Sequence, residues 1–294
     1  MKIKFTFFTL LFLFAGSNLY SQDDLMDLLE EQVEEESQEV AYTFKSTRVI
    51  NSHSIERMKA RQLDFRINHR FGEVKQGWYD LWGLDNALIS FDFGYGINDW
   101  LMVGFRRSTY KKMYDGSLKF SLFRQTTGSH QFPVAISYYT NMGIYSLKEE
   151  DENFKFTNRF SYTHQILAAR KFTEAISLQI MPTYVHRNLV DYNEKNDVFA
   201  VGIGGRYKFL RRVAFTFEYF WANHTASSDK YYNPLSFGFD IETGGHVFQL
   251  FFTNSQIMEE SGYITETMGS WADGGIYFGF NISRVFAIGG HKKE

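Results

Sequence analysis

From residue 61 onward the chain repeats one pattern, a stretch of roughly ten residues alternating apolar with small or polar, followed by a turn. Side chains of a strand alternate with period two, so each stretch carries one apolar and one polar face. In Arg61–Gly72, Leu63, Phe65, Ile67 and Phe71 share one face, and Asp64, Arg66, Asn68 and Arg70 the other. Next, Ala87, Ile89, Phe91, Phe93 and Tyr95 oppose Ser90, Asp92, Gly94 and Gly96. Near the end, Leu235, Phe237, Phe239 and Ile241 oppose Ser236, Gly238, Asp240 and Glu242. Twelve such stretches can be read, and residues 42–50 offer a further strand, so ten or fourteen are the alternatives.

A soluble sandwich also alternates, with its polar face in water. Two features favour a membrane barrel. The polar faces are rich in Gly, Ser and Thr with single charges of both signs, which suits a narrow interior. Aromatics such as Trp78, Trp82, Tyr95, Trp100, Tyr110, Tyr184 and Trp221 gather near strand ends, where membrane barrels carry girdles. The connections also sort. Long loops (73–86, 109–116, 144–156, 187–197, 222–234, 254–274) alternate with shorter turns at Asn98-Asp99, 125–131, Phe172-Thr173, Arg211-Arg212 and Thr243-Gly244. Antiparallel outer-membrane barrels have long extracellular loops and short periplasmic turns. Both chain ends then fall on the periplasmic side.

The fold read is therefore all-β: a single antiparallel transmembrane barrel of about twelve strands over 61–288, in the outer membrane of a Gram-negative cell. Residues 1–21 read as a signal peptide, with Lys2 and Lys4 before an apolar run too short to span a bilayer as a helix. Residues 22–40 read as an acidic periplasmic tail, partly helical or disordered, 41–60 as a lead-in and 289–294 as a C-terminal tail. The mean hydropathy of −0.32 suits a barrel, whose every second residue faces a polar lumen. No cysteine is present, which excludes disulfides, thiolate metal sites and a cysteine nucleophile. Asp23–Glu39 holds nine acidic residues and no basic one, while 40–294 carries a net charge of about +4. Such opposition lets the tail visit a basic pore mouth.

Several motifs then look familiar. HRFG (His69–Gly72), WGLDNA (Trp82–Ala87), FGFDIETGGHVFQLFFTNSQ (Phe237–Gln256) and FGFNISRVF (Phe278–Phe286) resemble an uncharacterised family of membrane-bound β-barrels of unknown function. FKSTRVINSHSIE (Phe44–Glu56) looks like that family's usual lead-in, and the resemblance covers roughly 40–288. It implies a membrane barrel and no activity, so no residue role is carried over.

No catalytic constellation stands out. The eight histidines include no HxxxH or HExxH pair, and GxSxG is absent. His164, on the expected lipid-facing side, is the one oddity. The glycine pairs at 204–205, 244–245 and 274–275 lack a following Lys-Ser/Thr and read as turns or bends. No cofactor, metal or nucleic acid is expected. The expected partners are the bilayer and small solutes, and no protein partner is indicated. The candidate site is the set of inward charges: Asp64, Arg66, Arg70, Asp92, Arg106, Lys119, Arg159, Arg206, Glu218, Asp240 and Glu242. These either pair into a network that fills a small barrel or form a constriction that selects small solutes. The leading expectation is a narrow channel or transport barrel, not an enzyme. The alternative is a non-conducting barrel that binds a lipid or partner.

Overall fold

A computed structural model describes residues 37–151, 153–223 and 230–289. The expected signal peptide, most of the acidic tail, His224 and His291 lie outside them. The strands are β1 (Gln62–Glu73), β2 (Ala87–Gly96), β3 (Leu101–Ser108), β4 (Tyr114–Phe123), β5 (Ala135–Ile144) and β6 (Phe160–Lys171). They continue with β7 (Ile176–Arg187), β8 (Asp197–Leu210), β9 (Val213–Ala222), β10 (Leu235–Glu242), β11 (His246–Thr253) and β12 (Tyr277–Ala287). Each pairs antiparallel with its sequence neighbours, and β12 closes on β1 through a register running from Ala287↔Gln62 to Tyr277↔Glu73. Closure leaves no free edge, which a strand crossing a bilayer requires.

The alternation sorts the side chains. Outward residues stay bare: Phe93 is 41% exposed, Phe105 50%, Ile166 50% and Phe199 61%. An apolar belt of this extent is not tolerated in water and suits lipid. Inward residues are buried, although they are largely polar.

The barrel is filled, and part of the filling comes from residues 41–60, the expected lead-in. Residues 42–50 add no strand. Instead Thr43–Ile55 is almost wholly buried and lies inside the lumen. From the long-loop end, the β11–β12 connection also folds inward and carries a short helix, α1 (Glu260–Thr265), with Tyr263 and Ile264 fully buried. Both fillers pack on one side of the interior. Phe44, Val49 and Ile55 share a cluster with Tyr139, Leu167, Met181, Val185 and Phe220 of the wall and with Ile257, Tyr263 and Ile264 of the loop. At the short-turn end, Gln38–Glu39 pairs with Thr126–Thr127 in the β4–β5 turn.

Candidate functional site

The segment inside the lumen is a tight hairpin. The Ser54 N–H donates to the Thr47 carbonyl (2.9 Å), the Val49 N–H donates to Ser52 (2.9 Å), and Arg48 bridges His53. A two-residue tip, Ile50-Asn51, points at β9. A turn exposes N–H groups that need acceptors when buried. Glu218 supplies them: its carboxylate accepts from the N–H of Ile50 (3.3 Å), Asn51 (3.3 Å) and Ser52 (2.9 Å), and from the Ser52 hydroxyl (2.5 Å). The tip carbonyls are met as well, Val49 by Gln249 Nε2 (2.8 Å) and Ile50 by Asn281 Nδ2 (3.1 Å). Arg70 donates to Asn51 Oδ1 (2.8 Å).

The base of the hairpin presents carbonyls, and a cation takes them. Lys119 Nζ, on the wall facing β9, donates to Ser54 (3.0 Å) and Glu56 (2.7 Å). Gln179 Nε2 donates to the His53 carbonyl (2.8 Å), and the His53 ring lies 4.0 Å from that of Tyr139. Thr47 donates to Asp64 (2.6 Å), while Arg66 donates to Ser46 and to Thr47 (3.1 Å). The hairpin is thus fixed to strands all round the barrel.

A second knot joins the hairpin to the inserted loop. Arg48 meets Glu260 (2.6 Å) and Asp92 (3.3 Å). Arg106 reaches the other Glu260 oxygen (2.5 Å), Asp115 (3.2 Å) and the Met258 carbonyl (2.9 Å). Burial alone would push the Glu260 carboxyl up, but Arg106 and Arg48 more than offset this and hold it well below the usual carboxylate range. Beside the hairpin, against Gly94 and Gly104, remains a cavity of about 30 Å³, room for little more than a water molecule.

Of the expected inward charges, Asp64, Arg66, Arg70, Asp92, Arg106, Lys119, Arg206, Glu218 and Asp240 are buried in the lumen. Glu242 is half-buried at the short-turn mouth, bound to Arg206 (2.8 Å) and Lys45 (3.2 Å). Arg159 is a correction. It ends a short 3-10 turn ahead of β6, and its guanidinium donates to the carbonyls of Tyr145 (3.2 Å) and Leu147 (2.5 Å) at the long-loop rim. Its parity matched the β6 lumen face, but the strand starts one residue later. Asp115, Arg48 and Glu260 were missed because β4 begins earlier than its alternation suggests and the other two lie outside strands. Of the two readings of Gly204 and Gly205, turn or bend in the sheet, the turn is excluded, since both lie within β8.

Gly204 instead makes room for the plug. A Cβ built there would sit 3.1 Å from Val49 Cγ1. Gly204→Leu should push the hairpin out of register at a cost of about 1–3 kcal/mol, the usual penalty for overpacking. The check is a lowered urea midpoint in micelles.

His164 faces outward as expected, and its Nδ1 meets the Tyr138 hydroxyl (2.7 Å) and Thr140 (3.1 Å). Among the described residues no group of His, Asp and Glu is placed to hold a metal ion.

The family described as "Membrane bound beta barrel domain (DUF5777)" matches residues 44–286. The chain belongs to this family. The matched span begins at Phe44, so it takes in the lumenal hairpin with the barrel. No curated protein matches the chain. Among solved structures, the NanC porin is similar at 9% identity and a TM-score of 0.50, over 76% of this chain and 98% of that one. At that identity the likeness shows the barrel fold alone. The KdgM porin (7% identity, 78% of this chain and 99% of that one, TM-score 0.43) is more distant. So is the outer membrane protein Omp33 of Acinetobacter baumannii (10% identity, 77% and 98%, TM-score 0.41).

Proposed function

We propose that this protein is an outer-membrane barrel for small solutes whose lumen is closed at rest by the hairpin of residues 47–54. The observation that supports this most is the capture of the hairpin tip by Glu218. Small barrels can fill themselves with wall side chains alone. Here the filling is a separate stretch of chain, held by hydrogen bonds to charged and amide groups and by the burial of Phe44, Val49 and Ile55. Such a stretch can leave as a unit. The wall charges it leaves behind, among them Lys119, Arg66, Arg70 and Glu218, are readily hydrated and would line a polar passage.

In this reading the long loops face outward and both termini face the periplasm, as the short turns of outer-membrane barrels do. The work is passage or binding, not catalysis, and the bilayer is the one standing partner. A second reading, a barrel that never conducts, draws on the inserted loop: Glu260 seals the lumen from the other end, so two elements must move.

Planar-bilayer recording separates the two. The intact protein should be mostly silent, and deletion of residues 43–56 should give frequent discrete current steps. A deletion variant that folds and stays silent would replace the channel with the non-conducting barrel.

A further inference from the structure

The lumenal hairpin carries one histidine, and none of the polar contacts that seat the hairpin uses its ring. The main chain of His53 is held, since Gln179 Nε2 of β7 donates to its carbonyl (2.8 Å) and Arg48 bridges it across the hairpin. The buried ring rests against Tyr139 of β5, and among the described residues neither Nδ1 nor Nε2 has a hydrogen-bond partner. Buried polar atoms seldom go unmatched, because each one costs its lost hydration. A neutral imidazole keeps that cost moderate. The cavity of about 30 Å³ that the ring borders has room for one water beside it.

An imidazolium in the same place would fare differently, since it carries a full charge and two N–H donors. Arg48 of the hairpin, Arg66 of β1 and Arg106 of β3 border the same cavity, and Lys119 of β4 holds the carbonyls of Ser54 and Glu56 next along the chain. Three carboxylates border the cavity too, and each already faces a cation. Asp64 of β1 faces Arg66 (3.3 Å), Asp92 of β2 faces Arg48 (3.3 Å), and Asp115 of β4 faces Arg106 (3.2 Å). Glu260 of α1, shared between Arg48 and Arg106, brings the sum to four carboxylates against four cations. A proton on His53 therefore adds a buried charge that nothing in this set offsets, and such a charge is costly.

We propose that His53 makes closure of the lumen sensitive to pH: the hairpin stays seated while the ring is neutral and comes loose when the ring takes up a proton. The sign follows from linkage. Seated, the hairpin keeps the ring deprotonated. Released, the ring meets water and titrates near the ordinary imidazole value of about 6.5. The closed form thus binds fewer protons, and its share falls as pH drops below that value, by about tenfold per pH unit for a single site. The consequence for passage rests on the hairpin being the gate. The consequence for the stability of the seated hairpin does not.

The test is urea unfolding in micelles at about pH 7.5 and about pH 5, on the parent, on His53→Gln and on His53→Phe, which keeps a ring against Tyr139. The other titrating groups are common to all three proteins and cancel in the comparison. Over that interval the parent's unfolding equilibrium should shift toward the unfolded state about thirtyfold more than that of either variant. Equal pH dependence in parent and variants overturns the proposal. So does a parent that gains on the variants at the lower pH, which would mean that the imidazolium reaches Asp92 Oδ2 or Asp115 Oδ1, both short of hydrogen bonds. Carbon-13 NMR of the His53 ring in the parent needs no variant: the ring should read as neutral at about pH 5 while the barrel is folded and closed, and a protonated ring there overturns the proposal as well. In planar bilayers the parent should open more often at the lower pH and the variants should not. A silent parent that shows the thirtyfold shift would overturn only the channel, and a conducting parent without the shift only the role of His53.

Discussion

Glu260→Gln is expected to cost the folded barrel about 3–5 kcal/mol, the penalty for removing one partner of a buried ion pair. The carboxylate is fully buried and meets Arg48 on one oxygen and Arg106 on the other, with Asn141 donating as well (3.1 Å). An amide keeps the shape, but it offers one acceptor and two donors where two guanidinium groups need acceptors. Asp92 and Asp115 remain as partial partners, which sets the lower end of the range. Urea unfolding in micelles should show the loss as a shifted midpoint with an unchanged slope. Glu266→Gln serves as a control. Its side chain is 18% exposed and Arg187 keeps Glu194 as a partner, so its loss should cost less, about 1–3 kcal/mol. The sign with pH also follows. The folded Glu260 carboxyl titrates below its unfolded value, so its contribution is complete above the ordinary carboxylate range and is lost as pH falls through the lowered value. A Glu260→Gln barrel as stable as the parent would mean that the knot is hydrated and carries little.

The barrel was legible in the sequence because period-two alternation is a local signal that lipid on one side enforces at every strand. For ten of the eleven named charges the inward position followed from the same parity; Arg159, at a strand boundary, fell elsewhere, and Asp115, at the start of β4, went unread. The plug was not legible, because Lys45–Ile55 has neither period and its fold is imposed by the wall around it. Yet the wall itself carried a sign. On lumen-facing parity, Gln165 is followed by Leu167, Gln179 by Met181, Glu218 by Phe220 and Gln249 by Phe251. All four of these apolar residues are buried at 2% exposure or less. A water-filled lumen has no use for large apolar side chains, and a filled one has. Leu167, Met181 and Phe220 mark the side on which Phe44, Val49 and Ile55 pack, and Phe251 lies under the Arg70 guanidinium. What no parity rule could give is the pairing of Glu218 with backbone N–H groups. Its partners are main-chain atoms of a segment far away in sequence, and they leave no pattern in residue identity.

Glu218→Ala should open the lumen while leaving the barrel standing. The carboxylate accepts from three N–H groups and one hydroxyl of the hairpin tip, and hydrogen bonds to a charged group contribute about 1.5–3 kcal/mol each. They share one acceptor and will not add in full, so a net loss of about 3–4 kcal/mol is the expectation. At 1.4 kcal/mol per tenfold, that shifts the closed-to-open ratio by roughly two to three orders of magnitude. The strand ladders to β8 and β10 are untouched, so the unfolding midpoint should move far less than the open probability. That contrast separates a latch from a structural residue. Because the chain has no cysteine, a single Ser52→Cys change reports the tip directly. Its thiol should resist a water-soluble maleimide in the parent and react readily once Glu218 is alanine. Silence in the bilayer together with an unreactive Cys would mean that Gln249, Asn281, Arg70 and Lys119 hold the hairpin without Glu218. The plug would then be a permanent part of the wall, and the barrel a closed one.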